Sequence, residues 1–316
     1  MSSHPKGTTN SSFSQVLPTL QLGVDSTSLG EFKTCPRRYQ LTIVEGWQKR
    51  ETPVDLKFGL HLHRARETYD HCRAAGADHD EALDVALVEA LRDTWNTVLG
   101  RPWISSSPEK NRNSLLRSIV WYLDQFGRDD PIETVRLANG KAAVELSFRF
   151  DSGYRTSTGE TILLCGHIDR IGRLGDQLYD VDIKTTKNAL GPGFFSSFSP
   201  DNQMSLYSLA CKVAFQQEVA GVIIDGLQIG ATFTRCQRQL VPRRPDQLDE
   251  WLDDLGHWLR QMEICAERGH WPMNDKACGL YGGCQFRALC AMPPGQRAKF
   301  LAVDFHQHVW DPLQAR

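Results

Sequence analysis

Apolar positions recur at helical spacing in three stretches of the first 130 residues. Phe58, Leu62, Ala65 and Tyr69 mark a helix over about 56–75. Leu83, Leu87, Ala90, Leu91 and Val98 mark one over 80–98, and Leu115, Ile119, Leu123 and Phe126 one over 112–126. A Pro/Ser loop separates the last two. Upstream, Ser28 or Asp25 can cap a short helix through Phe32 that stops near Cys35-Pro36. The period then changes. Val144, Leu146, Phe148 and Phe150 alternate with Glu145, Ser147 and Arg149, which predicts a strand. Strands over 162–171 and 178–184 follow, joined at Gly175-Asp176. A Gly/Pro/Phe/Ser loop (191–202), a helix (203–215) and strands near 222–228 and 231–237 come next. Residues 246–267 form a long amphipathic helix bearing Leu248, Trp251, Leu255, Trp258, Leu259 and Met262. Helices first and then a hairpin-rich sheet predict a mixed α/β (α+β) fold rather than repeated βαβ units.

The chain has 316 residues, enough for one large domain or two small ones. Residues 1–24, Ser/Thr-rich at the start, read as a flexible arm without the apolar core of a secretory signal. A single domain is expected over 25–295, with a helical insertion at about 77–130 and a tail over 296–316. Lys plus Arg is 36 and Asp plus Glu is 38, a net charge of -2, which excludes a grossly basic tail but not a local basic groove. No apolar run is long enough to span a membrane, so a cytoplasmic location is expected. Nine cysteines without an export signal favour bound metal or free thiols over disulfides.

The chemistry concentrates in 166–187. Asp169 ends one expected strand and Asp182-Ile183-Lys184 lies on the next. The strand period of two puts Asp182 and Lys184 on one face, and Asp169 can face Asp182 across the hairpin. Two close carboxylates repel unless a divalent cation lies between them. A lysine beside that cation can act on a water or neutralise charge on a phosphate. The alternative is a solvated strand face with a surface Asp–Lys pair.

Gly166-x-x-Asp169 followed by Asp182-x-Lys184 resembles the PD-(D/E)XK nuclease superfamily, and specifically its RecB-like branch. Gly59-x-x-x-His63 resembles that branch's upstream helix motif, Gln203-x-x-x-Tyr207 its later helix motif, and Glu145 an acidic residue on the first core strand. The resemblance implies a restriction-endonuclease-like core, a central mixed sheet flanked by helices with an N-terminal helical region. It implies that His63, Asp169 and Asp182 bind Mg²⁺ or Mn²⁺, helped by the Ile183 carbonyl. Lys184 would act on the water, with Gln203 and Tyr207 positioning the lysine or the nucleic acid. His61 faces another way on the same helix. Glu67, one turn beyond His63, can support its ring.

Cys278, Cys284 and Cys290 are spaced by five residues in a Gly-rich segment, and Cys35 lies far upstream. These four resemble the set that binds a [4Fe-4S] cluster in members of the branch, pinning the chain ends together, with a structural zinc as the alternative. The first gap departs from that family's usual Cys-x2-Cys-x5-Cys. Cys72, Cys165, Cys211, Cys236 and Cys265 read as small core residues.

Basic residues cluster at Arg37-Arg38, 184–187, 235–238 and Arg243-Arg244 and can line a phosphate-binding groove. Phe194, Phe195 and Phe198 either stack single-stranded bases or form a lid packed on the core. The combined expectation is a Mg²⁺- or Mn²⁺-dependent deoxyribonuclease, an exonuclease on single-stranded or free-ended DNA in repair or recombination. Its rival is an inactive DNA-binding or adaptor subunit of such a complex. There is no Gly-x-x-x-x-Gly-Lys-Ser/Thr loop, so a helicase motor must come from a partner chain.

Overall fold

The structure, a computed structural model, describes residues 12–308 and 310–314. In chain order it forms β1 (Gly23–Val24), α1 (Ser26–Thr34), α2 (Pro36–Tyr39), β2 (Trp47–Lys49), α3 (Val54–Ala75) and α4 (His79–Asp93). The β3–β4 hairpin (Trp95–Asn96, Arg101–Pro102), α5 (Arg112–Phe126), β5 (Glu133–Thr134), β6 (Val144–Arg155), β7 (Thr161–Leu174) and β8 (Gln177–Thr186) follow. The remainder is α6 (Pro192–Ser196), α7 (Asn202–Phe215), β9 (Val219–Ile229), β10 (Thr234–Pro242), α8 (Pro245–Arg268), α9 (Arg287–Ala291), α10 (Arg297–Asp304) and β11 (Phe305–Gln307). This is the mixed α/β fold that the change of period predicts. No helix among the described residues is long and apolar enough to cross a membrane.

Local chemistry sets the helix ends. Pro53 precedes α3, and Gly76, at φ +104°, closes it in the left-handed conformation that a side chain resists. Asn111 and Ser114 form reciprocal side-chain caps that start α5. The helix expected to run to Val98 ends at Asp93 instead. The Thr94 hydroxyl turns back to the Ala90 carbonyl at 2.6 Å, and Trp95–Asn96 pairs with Arg101–Pro102.

Two compact units are present. One comprises 52–147 and 167–248. Its sheet is built from β5, the second half of β7, β8, β9 and β10. The β7–β8 pair is antiparallel, β8–β9 parallel and β9–β10 antiparallel. Phe58, Leu62 and Tyr69 of α3 and Ile119 and Leu123 of α5 bury one sheet face with Ile183, Leu227 and Ile229. On the other face Phe195 and Met204 pack with Val222, Ile224 and Val241.

A buried ionic network ties α5 to this sheet. Asp225, fully buried on β9, accepts from the Tyr122 hydroxyl at 2.9 Å and from Arg238 Nε and Nη2 at 2.5 and 2.9 Å. Arg238 also donates to Asp130 at 2.6 and 3.1 Å, and Arg170 approaches the same carboxylate at 3.4 Å. Each charge here is desolvated and depends on its partner.

The other unit draws on 12–51, 148–166 and 249–314 among the described residues. Fully buried Glu263 of α8 accepts from the Tyr154 hydroxyl at 2.7 Å and the Ser157 amide at 2.5 Å. Residues 12–24 correct the expected flexible arm: Ser12, Ser14, Leu20 and Gln21 are buried, and β1 pairs in parallel with Leu163 and Leu164. Residues 1–11 of that arm lie outside the described residues. The expected tail is also structured over α10 and β11, and β11 pairs with β2.

Removing Asp225 leaves the buried Tyr122 hydroxyl without its acceptor and Arg238 with Asp130 alone, a carboxylate that it shares with Arg170. Asp225→Ala is therefore expected to lower the unfolding free energy by about 3–5 kcal/mol, read as a shift in the urea midpoint. A shift of less than about 1 kcal/mol would contradict this role for the network.

Candidate functional site

The β7–β8 ladder runs up to the Arg170–Val181 pair and stops. Beyond it the Ile183 amide donates to Asp169 Oδ2 at 3.1 Å, so the carboxylate takes the place of a ladder acceptor. Continuing the register sets Asp169 opposite Asp182, as the hairpin reading predicts. His63 reaches in from α3. Its Nδ1 lies 3.2 Å from Asp169 and 3.8 Å from Glu145, and its Nε2 lies 3.2 Å from the Ile183 carbonyl oxygen. Both ring nitrogens are thus engaged by Asp169, Glu145 and the Ile183 carbonyl. Glu67 lies 3.9 Å from His71. His61 points away, beside Trp103.

Donor atoms of His63, Glu145 and Asp169 lie within 4.8 Å of one another, close enough to ligate a single cation. Glu145 holds this place at a φ of +46°, a backbone region that L side chains rarely adopt. Asp182 lies beside this trio rather than within it. Lys184 Nζ sits 2.7 Å from its Oδ2 and 3.0 Å from its Oδ1, and only the Oδ1 contact has hydrogen-bond geometry. Asp182 Oδ2 is thus a buried oxygen with no hydrogen-bond donor, and a divalent cation fits that chemistry.

Helix α7 completes the cluster. Asp201 caps it by accepting from the Met204 amide at 3.0 Å, which fixes Gln203 in the first turn. Lys184 Nζ donates to Gln203 Oε1 at 2.9 Å, and Gln203 Nε2 donates to the Tyr207 hydroxyl at 3.0 Å. His63, Glu145, Asp169, Asp182, Ile183, Lys184, Gln203 and Tyr207 form one connected group.

The electrostatics follow from carboxylates crowded out of water. Burial alone lowers the pKa of His63, but Asp169, Glu145 and Asp182 outweigh it and push the ring up to about 10. Burial raises Asp169, yet His63, Lys184 and the Ile183 amide hold it below the usual carboxylate range. Asp182 is pushed up to about 6 by burial against Lys184, with Asp169 adding repulsion. Lys184 is raised: Asp182 and Asp169 outweigh its burial and keep the ammonium charged. The sequence reading missed Asp180. It shares the face of Asp182 and Lys184 by the same period of two, both its oxygens are buried without partners, and burial raises its carboxyl well above the usual range. The repeat Asp180-x-Asp182-x-Lys184 was its visible signal.

The aromatic loop settles between its two readings. Phe195 is buried, and Phe194 and Phe198 pack on the core beside it, so this is a folded-down segment rather than a stacking platform. Most of the basic clusters likewise have structural partners. Arg38 pairs with Glu31, Arg238 belongs to the buried network, and Arg243 donates to the Phe198 carbonyl at 2.6 Å. An open groove of about 740 Å³ lies along Trp121, Gln125, Gln228, Arg235 and Gln237, so of the expected basic segments 235–238 contributes to it through Arg235.

In the other unit, Asn274 bridges two of the four singled-out cysteines. Its amide donates to Cys35 Sγ at 3.4 Å, and its carbonyl oxygen accepts from the Cys278 thiol at 3.9 Å. Burial raises the Cys290 thiol, with Cys284 and Cys35 adding to the rise and Arg37 and Arg297 opposing it. Cys284 and Cys290 pack beside Leu41, Phe286, Leu289, Leu301 and Phe305.

A family model for the PD-(D/E)XK nuclease superfamily matches residues 26–291. By structure the chain is similar to a crystal structure of a candidate exonuclease from Eubacterium rectale, with 11% identity and a TM-score of 0.48. That match covers 87% of this chain and 92% of the other. The crystal structure of SSO0001 is similar at 13% identity and a TM-score of 0.31, over 75% of this chain and 93% of the other. Among curated proteins nothing matches.

The carboxylate cage makes a direct prediction for the metal-free protein. His63 stays protonated through neutral pH and releases its proton near 10. Asp169→Asn returns that midpoint at least about one unit towards the ordinary imidazole value. Ring-proton NMR against pH reads both, and a wild-type midpoint near the ordinary value contradicts the arrangement.

Proposed function

As the chain belongs to the PD-(D/E)XK nuclease superfamily, we propose that it is a Mg²⁺- or Mn²⁺-dependent deoxyribonuclease of the RecB-like type. It hydrolyses phosphodiesters of single-stranded or free-ended DNA as an exonuclease. The observation that carries this reading is the linked set His63, Glu145, Asp169, Asp182 and Lys184, with an unbonded Asp182 oxygen facing a charged lysine.

His63, Glu145 and Asp169, with Asp182 beside them, are the residues that would hold the cation, and the Ile183 carbonyl would be a further oxygen donor. When bound, the cation supplies Lewis-acid stabilisation of phosphate charge and lowers the pKa of a water. His63 must give up its proton for its ring to ligate, so cation binding and proton release are linked there. Lys184 remains charged and offers a fixed ammonium to the oxygens on which negative charge develops. Gln203 restrains that ammonium through its Oε1, and Tyr207 restrains Gln203. The Trp121 groove, with amide side chains and Arg235, suits a single strand by stacking and charge.

Cys35, Cys278, Cys284 and Cys290 offer four thiolates, a donor set that fits a [4Fe-4S] cluster, with zinc as the alternative. The partner chain we expect is a helicase or recombination subunit that delivers DNA ends.

The test is cleavage of end-labelled single- and double-stranded DNA with Mg²⁺ or Mn²⁺. Lys184→Ala and Asp182→Asn are each expected to slow cleavage at least about a hundredfold while leaving DNA binding intact. Metal-loaded, folded wild-type protein that cleaves no substrate would move the reading to an inactive DNA-binding subunit. The cysteine set has its own check. Protein purified without oxygen is expected to carry iron and sulfide with visible charge-transfer absorbance, and Cys284→Ser is expected to lose both. Zinc in place of iron would replace the cluster in this reading.

A further inference from the structure

Strand β7 carries Asp169 and Arg170 side by side, so their side chains leave opposite faces of the sheet. Arg170 points away from the candidate nuclease centre, into a cavity of about 350 Å³ whose walls come from α3, the end of α5, β5 and β7. Two of its charged groups cancel: Arg66 donates to Asp70 at 2.7 and 3.1 Å. Arg170 is less well satisfied. Its side chain is only 3% exposed, yet its contacts lie at 3.4 Å to Asp130, 3.3 Å to Thr134 and 3.4 Å to the Ile132 carbonyl. Good N–H···O bonds fall near 2.7–3.2 Å, and those to charged groups are shorter still. Asp130 gives its short bonds to Arg238 instead.

The rim adds cations whose hydrogen bonds go to main-chain oxygens. Arg73 donates to the Ala77 carbonyl at 2.9 Å, and Arg136 to the Arg73 carbonyl at 3.3 Å. Arg128, also at the rim, is paired with Asp80, and exposed Glu133 is the rim carboxylate that opposes Arg73 and Arg136. A buried guanidinium held only by long contacts, and two more whose hydrogen bonds go to main-chain oxygens, line one space. A flat carboxylate meets one such fork well; a tetrahedral oxyanion can accept from several at once.

We propose that this cavity binds a small phosphate-type oxyanion, with Arg170 at its floor and Arg73 and Arg136 at its mouth. The site is separate from the nuclease centre and does not depend on that reading. Its ligand is either inorganic phosphate or the terminal phosphate of a mononucleotide.

Isothermal titration of the full chain tests this, in EDTA and at constant ionic strength. Inorganic phosphate is expected to bind saturably, and acetate to bind at least about tenfold more weakly. Arg136→Ala, and the Arg73→Ala/Arg136→Ala pair, are expected to weaken phosphate binding at least about tenfold, a loss of about 1.4 kcal/mol. Lys184→Ala is expected to bind phosphate as the wild type does, which separates this cavity from the nuclease centre. A parallel titration with 2′-deoxyadenosine 5′-monophosphate identifies the source: tighter binding than phosphate points to a nucleotide, weaker binding to the free ion, and both uphold the site. No saturable phosphate binding at millimolar concentration overturns the proposal. So does equal affinity in the rim variants, or loss of binding in Lys184→Ala alone.

Discussion

Two aspartates brought face to face by one hairpin set the terms for everything around them. Asp182 is fully buried and Asp169 largely so, the first fixed by the β8–β9 register and the second by the Ile183 amide. Their repulsion needs positive charge from outside the hairpin or from its own next residue. His63 arrives from α3 and Lys184 from two positions along β8, each with its charged form favoured by the carboxylates it serves. Gln203 and Tyr207 then fix the lysine from α7. Three elements distant in sequence are therefore oriented by a single electrostatic demand, and a dication is the natural replacement for the proton that His63 carries in their absence.

The reverse face of the same sheet solves a similar problem differently. Asp225, Asp130, Arg238 and Arg170 neutralise one another inside the protein, with the Tyr122 hydroxyl closing the set from α5. On one face charge is left partly unbalanced, at a cost in stability; on the other it is balanced and serves to anchor a helix. Burying polar groups on both faces makes the sheet unusually specific about what may pack against it.

Much of this was legible in the sequence because it rests on local periodicity. The β7–β8 hairpin, the 112–126 helix and the Asp182–Lys184 face follow from spacings of two and of three to four, whereas Gln203 and Tyr207 stood out only through the resemblance to the family's helix motif. What escaped depends on partners far away in the chain. The pairing of Gly23–Val24 with Leu163–Leu164 is two residues long and carries no periodic signal, so residues 12–24 read as an arm. Arg238 and Arg243 read as members of phosphate-binding clusters because Asp225 and the Phe198 carbonyl are visible only in three dimensions. The three phenylalanines could not be assigned from their loop, since Met204, Val222 and Ile224 supply the surface that they cover. Glu145 reads in sequence as one polar position of an alternating strand, and its left-handed backbone, which places it 3.8 Å from His63, carries no periodic signal.

The neighbouring placement of Asp169 and Arg170 also bears on how the chain finds its fold. Slipping β7 by one residue against β8 would exchange the two faces. The arginine would then enter a nest already holding His63 and Lys184, and the aspartate would enter one that needs a cation to satisfy Asp130. Both errors are penalised at once, by like charge on one side and an uncompensated buried carboxylate on the other. The dipeptide thus works as a register mark: a hairpin slipped by one residue is disfavoured on both faces of the sheet.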